Sequence, residues 1–478
     1  TYLVHKGVSI AEVTKIFREK IEAGTWMVRF FTPLEKEEAF VEVDPRTSRM
    51  VGYHKYQEEE KPGPSLPQPV ALALASRAFR TYGLDPGQFE LKESLSYLQP
   101  RRLDWLFHFD ERKPLGPDAY RRVTVRVAGG DVTQFNKTIK VPESVYRDAA
   151  TQTLLNTIFF VLMIVGLVTL AAIVIAGLVM ASRNHGLPWR RALRWTLVLS
   201  IIPIVTVAAR YESMLFGYST SVAWETFRVS LITQFVTTAG LQIGAIFLAL
   251  AGLEAAVPYA LSVVTQEGRA RFGKSAVVAA LTAISVLVVV DVAARFIAHA
   301  MPWIGEVGVS APSEVATLLP ALTEGGSALI AAIVVPAAIA LYAFALKKWA
   351  APITIAAVFL ATLDPLATAR QAPVMMLRSL VLALLVWVVA RYVLGANPLA
   401  WPLFVFIGST LQTASLLARN SRPDLLANAL GLAIFAAGAA VWAWRSNGRI
   451  VRVAHRPVEV QPFPGVPGER SAGDLRSS

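Results

Sequence analysis

The chain has 478 residues, 54% of them hydrophobic, and a mean hydropathy of +0.48. A soluble protein of this size has more charge and fewer unbroken apolar runs, so the composition excludes that class. There are no cysteines, which excludes disulfides, thiolate metal sites and cysteine nucleophiles. The formal charge of +12 could indicate nucleic acid, but basic cytoplasmic loops explain such an excess in a membrane protein, and we expect no nucleic-acid partner.

The first 150 residues predict a soluble α+β domain. A helix is expected in "SIAEVTKIFREKIEAG", which begins with a capping box of Ser9 and Glu12 and stops at Gly24. Strand-like runs follow on either side of a turn at Asp44-Pro45. The start of the chain at Thr1, without a methionine, predicts that a leading segment, such as a further membrane helix, precedes this numbering.

The same pattern recurs after the linker "EEEKPGPSLPQP". A second helix is predicted in "VALALASRAFRTYG", followed by strands in "ELKESLSYL" and "RLDWLFHFD" and by a hairpin that turns at Gly129-Gly130. Two copies of a helix with antiparallel strands form a weak internal repeat. This repeat resembles the PepSY-type domains found outside bacterial membranes.

Residues 151–445 predict a helical membrane domain. Its apolar runs are long enough for about nine spans, near 152–181, 195–210, 229–257, 275–300, 326–346, 350–364, 376–395, 400–418 and 425–443. Basic residues cluster after the first, third, fifth and ninth runs, and the alternate connections have fewer of them. The positive-inside rule therefore predicts a cytoplasmic C-terminus and an extracytoplasmic N-terminal domain. The tail, residues 446–478, is predicted to be disordered.

Charged groups inside predicted spans are the usual indicators of function, because each is costly there. Asp291, Arg295 and His299 are spaced four residues apart in one predicted helix. They could form a metal, proton or ligand site, but a self-neutralising ion pair with a histidine near the outer surface is favoured. Asp364 is predicted to end a short span near the outer surface. Glu254 is predicted near the cytoplasmic end of the third span, within reach of basic residues.

Metal and nucleotide chemistry have little support in the sequence. A zinc site needs three or four converging histidine or carboxylate ligands, and of the six histidines only His299 lies in a predicted span. The chain contains no HExxH, no GxSxG and no GxxxxGK[ST] motif. We therefore predict no cofactor, with His299 as the one weak candidate for binding one.

The layout of several spans after an extracytoplasmic module, with a late "GGSALIAA" span, resembles the CPBP intramembrane metalloproteases, the CAAX-protease and bacteriocin-processing (Abi) group. Some bacterial members have an N-terminal extension similar to residues 1–150, with phrases like "VDPRT" at 43–47 and "VPE" at 141–143. The resemblance covers most of the chain but rests on layout and short phrases. It implies a family fold in which a paired glutamate activates water and histidines hold the metal.

This sequence departs from the family at each catalytic motif. Val335 and Pro336 stand where the resemblance implies the glutamate pair, and Ala340 stands near the arginine that follows it. Asp364 is the nearest counterpart of the next motif's histidine. In the last motif, Gly408 and Gln412 replace a histidine and an Asn or Asp. Valine, proline, alanine and glycine cannot activate water or hold zinc, and the lone carboxylate of Asp364 is too weak a ligand set for the metal, so the motifs are predicted to be degenerate.

The leading hypothesis is a catalytically inactive CPBP-like protein of the bacterial cytoplasmic membrane. It would serve as a scaffold or accessory subunit and contact membrane lipids and other membrane subunits. One alternative is an active intramembrane hydrolase or transporter that uses Asp291, His299 and Asp364, with Glu254 as a further candidate. Another is a subunit that holds a pigment, quinone or lipid, with His299 as the axial ligand.

Overall fold

The structure is a computed structural model. It describes residues 2–22, 25–45, 47–150, 154–258, 260–300, 319–346, 350–364, 372–395, 397–419 and 422–445. The predicted tail, 446–478, lies outside these residues. The chain divides into an N-terminal sheet domain and a bundle of apolar helices.

The sheet domain begins with two short helices, α1 (Tyr2–His5) and α2 (Ile10–Lys15), and α2 continues as a π-helical turn, Ile16–Lys20. A longer helix, α3 (Gln68–Thr81), separates two groups of strands. The strands are β1 (Trp26–Phe31), β2 (Glu38–Asp44), β3 (Arg49–Tyr56), β4 (Phe89–Gln99), β5 (Arg102–Glu111), β6 (Tyr120–Ala128) and β7 (Asp131–Lys140). The predicted helices and antiparallel strands are therefore present in this domain.

The two halves of the repeat share one sheet, because all seven strands form one antiparallel sheet in the order β1-β2-β3-β7-β6-β5-β4. The two groups of strands meet where Tyr53 pairs with Phe135 and His54 pairs with Gln134. A repeat seen in the sequence cannot show this junction, since it depends on pairing between strands that are distant along the chain.

The two helices that pack on the sheet, α2 and α3, both lie on its β4–β7 half. The helix α3 covers an aromatic core in which Phe79, Phe107 and Phe135 are fully buried. The capping of α2 by Ser9 is confirmed, since the Glu12 N–H donates to Ser9 Oγ at 3.2 Å. However, α2 packs beside β6 and β7 through the cluster Leu3, Val4, Val13, Ile16, Leu115 and Ala119. It does not cover β1–β3 in the way that α3 covers the other half.

A linking helix, α4 (Glu143–Ala150), leads to the membrane domain. Its helices are α5 (Leu154–His185), α6 (Trp189–Leu199), α7 (Ile201–Ala208), α8 (Tyr211–Phe216), α9 (Trp224–Ala256), α10 (Gln266–Ala300), α11 (Pro320–Leu346), α12 (Ala350–Ala361), α13 (Ala372–Val388), α14 (Ala400–Ala418) and α15 (Pro423–Trp444). Eight helical segments of the described chain are long and apolar enough to cross a membrane, with α6–α8 counted as one. The protein is therefore a multi-pass membrane protein.

The sixth predicted span differs from the other eight. Helix α12 has 12 residues, which gives about 18 Å of helix against the roughly 30 Å of hydrocarbon in a bilayer. The Ser379 hydroxyl donates to the carbonyl of Thr362 at 2.9 Å. Ser379 is seven residues into α13, so α12 ends about 10 Å short of the level at which α13 begins. Of the nine predicted spans, eight correspond to described helices long and apolar enough to cross a membrane, and the ninth corresponds to the shorter α12.

Small residues let the long helices of the bundle approach each other closely, as is common in membranes. A side chain at Gly177 of α5 would overlap the carbonyl oxygen of Leu341 in α11. Gly273 of α10 lies equally close to the carbonyl oxygen of Ala443 in α15. These contacts fix helix pairs near the end of the bundle that lies away from the sheet domain, here called the far end. The opposite end is called the sheet end.

Candidate functional site

The sheet domain is attached to the sheet end of the bundle by Arg29 of β1. Its Nε donates to Glu38 Oε2 at 2.8 Å, and its Nη1 donates to the carbonyl oxygens of Phe216 and Tyr218 at 2.8 and 2.6 Å. The guanidinium carbon also lies 4.9 Å from the ring centre of Phe31. The Arg29 side chain is only 8% exposed, so its charge is held by these partners rather than by water. We call this group of contacts the Arg29 latch.

Two further contacts fix β1 and the turn that follows it. The Leu34 N–H donates to the carbonyl of Thr220 at 3.0 Å, next to the start of α9. On the other side, the guanidinium of buried Arg422 lies 4.3 Å from the ring centre of Trp26 and also pairs with Asp424 at 2.8 Å. β1 therefore extends across the sheet end from the start of α15 to the loop before α9.

The edge strand β1 is the part of the sheet that contacts the bundle most. Alternate side chains of a strand project from opposite faces, so Trp26 and Arg29 lie on different faces of the sheet. Both contact the bundle, which means that the end of the bundle holds the edge strand from both sides. β2 also contacts the bundle, since the ring centres of Phe40 and Phe216 lie 6.2 Å apart. At the usual strand spacing, β4 at the other edge of the sheet lies roughly 29 Å from β1.

An open groove of about 420 Å³ lies at this junction. It is lined by Phe31, Pro33, Leu34, Trp224 and Glu225, so the turn after β1 forms one wall and the first turn of α9 forms the other. The lining is mainly apolar, and its one carboxylate lies at the start of a helix, where a negative charge is favourable.

A second groove, of about 370 Å³, separates β3 from α3. A single row of directly opposite residues crosses six strands beneath it: Val28, Val41, Tyr53, Phe135, Val125 and Phe107. The half of this row on β5–β7 is fully buried under α3, whereas Val28 at the β1 end is 41% exposed. The β1–β3 half of this apolar face therefore has no helix over it in the described chain.

Aromatic and basic groups surround this second groove, which we call the α3 groove. Its lining residues are Met50, Tyr53, Leu74, Arg77, Ala78, Thr81, Tyr82 and Val132. Tyr82 stacks on Phe135 with ring centres 3.9 Å apart. Burial, with a smaller effect of Tyr53, raises the pKa of Tyr82 to about 12. The groove thus combines an apolar floor with phenolic hydroxyls and one guanidinium, a combination typical of binding sites.

A polar cluster that the sequence analysis missed joins the turn between α7 and α8 to α11 at the sheet end. Arg210 lies 3.9 Å from Glu324, and its Nη2 donates to Ser327 Oγ at 3.2 Å. The available signal was Glu324 at the start of the apolar run "TEGGSALIAA". Both charged side chains are 43% exposed, which is typical of a structural pair near the end of a span.

The residues predicted inside spans are distributed over several helices. Asp291 is an exposed residue of α10, and Arg295 and His299 belong to the same continuous helix. The side chains of Arg295 and His299 lie outside the described part of the structure, so the predicted ion pair stays a prediction. Asp364 is half-buried just after the end of α12.

Glu254 forms the ion pair that its position favoured. Its carboxylate, 5% exposed, pairs with Arg191 of α6 at the far end of the bundle. The second carboxylate oxygen, Oε2, is buried without a hydrogen-bond partner. The partner belongs to the basic segment that follows the first span.

The positions matched to the family's catalytic motifs lie on two packed helices. Val335, Pro336 and Ala340 belong to α11, where Pro336 is buried and Val335 is 40% exposed. Gly408 and Gln412 belong to α14, with Gln412 exposed. Among the described residues there is no group of three or more histidine or acidic side chains that could hold a metal ion.

Comparison with known proteins gives no family for this chain. No family model matches it, and no curated protein or solved structure is significantly similar to it. The function must therefore be argued from the geometry described above.

Proposed function

We propose that this protein is a membrane scaffold or accessory subunit that binds a partner protein in the α3 groove of its sheet domain. The α3 groove carries the proposal, because it is an uncovered apolar site on a domain that is fixed to the membrane bundle by the Arg29 latch. In this proposal the sheet domain is extracytoplasmic and the protein resides in the bacterial cytoplasmic membrane, as the basic loops predict.

The proposal includes descent from CPBP-type proteases with loss of catalysis. The side chains of Val335, Pro336 and Ala340 cannot bind a metal or accept a proton from water, and the same is true of Gly408. The close approach of α5 and α11 at Gly177 is consistent with a helix that now has a packing role. A binding role needs no such chemistry.

The groove favours a partner segment with apolar side chains and an acidic group. Met50, Leu74 and Val132 offer apolar surface, and Arg77 on the exposed side of α3 offers a positive charge. Tyrosine is suited to such contacts, because it presents a large apolar ring with a polar tip. An amphipathic helix lying beside α3 would cover Met50 and Tyr53 on the β3 side of the groove.

Site-specific crosslinking in membranes tests this proposal. Because the chain has no cysteine, Met50→Cys provides a unique attachment point for a photocrosslinker in the groove. Leu98→Cys is the matched control, since Leu98 is an 85% exposed apolar residue on the opposite edge of the sheet. We expect one defined adduct from position 50, absent from position 98 and lost when Leu74→Asp is added, and the same protein should co-purify with the unmodified chain.

Equal labelling from both positions would contradict the proposed groove. The loss of catalysis has its own test, which is the metal content of the purified protein. We expect less than one zinc per chain and no change of stability with chelators. One tightly held metal per chain, bound through Asp364 and His299, would instead favour the active-enzyme alternative.

A further inference from the structure

We propose that the β1 edge of the sheet domain and the turn that follows it bind membrane lipid. In this arrangement the strand lies in the headgroup layer of the bilayer, with its exposed apolar side chains directed to the lipid. The groove beside Trp224 accommodates part of a phospholipid. The proposal does not depend on the partner assigned to the α3 groove.

The first support is the level of β1 relative to the spans. Trp26 contacts Arg422, which immediately precedes α15. The Leu34 N–H binds Thr220, four residues before α9 begins at Trp224. The apolar run of α9 starts near residue 229, five residues after the helix begins. Trp224, the first residue of α9, therefore lies about 8 Å outside the hydrocarbon layer. The headgroup layer on each side of a bilayer has a similar thickness.

The second support is the unusual exposure of β1. Met27, Val28 and Phe30 are 48%, 41% and 58% exposed, and Leu34 in the following turn is 66% exposed. An exposed apolar edge strand is a site of aggregation that soluble proteins protect with charges, proline or a covering element. Here the neighbouring membrane offers a cover that needs no protein partner.

The third support comes from the aromatic residues of the bundle at the same level. Tyr211 and Phe216 of α8 are 52% and 43% exposed, and Trp224 opens α9. Tyrosine and tryptophan are enriched at membrane–water interfaces, where their rings lie among the headgroups. The groove of about 420 Å³ lies between this aromatic group and Leu34, so it opens where lipid would be.

The position of Leu34 is also fixed. Its backbone has φ of +66°, a conformation that side-chain-bearing residues rarely adopt, and its N–H is bound to Thr220. Together with the Arg29 latch and the Trp26–Arg422 contact, this bond holds the exposed side chains at a constant height. A surface fixed in this way can bind lipid without an ordering cost at the time of binding.

The test uses single cysteines in the full chain, reconstituted in vesicles of phosphatidylcholine and phosphatidylglycerol. Leu34→Cys and Phe30→Cys are each labelled with a small fluorophore. Leu98→Cys, on the β4 edge of the sheet, is the control. Quenching is measured with nitroxide-bearing lipids and, separately, with aqueous iodide. Two test positions are used so that the result does not depend on either substitution alone.

We expect lipid-borne nitroxide to quench the labels at 34 and 30 at least threefold more strongly than the label at 98. Iodide should show the opposite order. The proposal is overturned if positions 34 and 98 respond alike to both quenchers. It is equally overturned if the labels at 34 and 30 resist both quenchers, because they would then be covered by protein.

Discussion

Removing the Arg29 side chain should release the sheet domain from the bundle. Arg29→Ala takes away the donors to Glu38 and to the carbonyls of Phe216 and Tyr218. The Glu38 carboxylate, which is 19% exposed, and the two carbonyl oxygens then lose the guanidinium as their donor. Breaking a buried pair on one side typically costs about 3–5 kcal/mol, because the remaining charge stays in a poorly solvated site.

Hydrogen exchange at the Leu34 amide measures this cost, because that N–H bridges the two domains. A loss of about 3–5 kcal/mol in the local opening free energy corresponds to exchange that is roughly two to four orders of magnitude faster. The amide of Leu115 is the internal control, since it binds Ala119 within the sheet domain. Its exchange should change little if only the junction opens.

Two companion variants separate a charge effect from loss of packing. Arg29→Lys keeps the charge but lacks the forked donors, so its effect should be intermediate. The double change Arg29→Met with Glu38→Met removes both charges and should be much milder than Arg29→Ala. The reasoning is refuted if Arg29→Ala leaves the Leu34 amide as protected as before, or if the double variant is at least as damaging as the single one.

Three further predictions concern the bundle and the groove. Gly177→Ala should destabilise the protein by about 1–3 kcal/mol, because its Cβ would overlap a facing backbone carbonyl. Gly240→Ala is the control and should be neutral or slightly stabilising, since a Cβ there has nothing within 4 Å. The thermal unfolding midpoints of the two variants in detergent are compared. Arg191→Ala should lower the free energy of unfolding by about 1–3 kcal/mol, because it leaves the Glu254 carboxylate without its partner. Adding Glu254→Leu in a double variant should restore much of that stability, as measured by the same assay. Absorbance titration should show Tyr82 ionising near pH 12, and since its folded pKa is raised, its contribution to stability should be constant below pH 10 and fall above it.

The sequence predicted the elements of the fold better than their arrangement. Apolar runs predicted the long helices because the bilayer demands about 20 such residues, and turn chemistry predicted the hairpins at Asp44-Pro45 and Gly129-Gly130. The single sheet was not predicted, because periodicity describes each strand and not its neighbour. Helix α12 was predicted as a short span over 350–364, and it ends at Ala361.

The candidate site shows the same limit. Residues such as Asp291 stood out in the sequence because a charge in an apolar run is conspicuous. Arg29 did not, because an arginine in a strand looks like an ordinary surface residue until its partners are known. Its three acceptors include two backbone carbonyls from a loop almost 190 residues later. Backbone acceptors have no signature in a sequence, so no motif search could have found the latch.

The contact between the β1 edge and the bundle restricts what could bind in the α3 groove. β3 is the second strand from β1, so it lies roughly 10 Å further from the bundle at the usual strand spacing. If β1 lies in the headgroup layer, a segment bound beside Tyr53 runs just above the bilayer surface. A segment next to a membrane span of another protein is held at that height already, and this raises its effective concentration at the groove. The two proposals together therefore predict a membrane protein, and not a soluble one, as the partner.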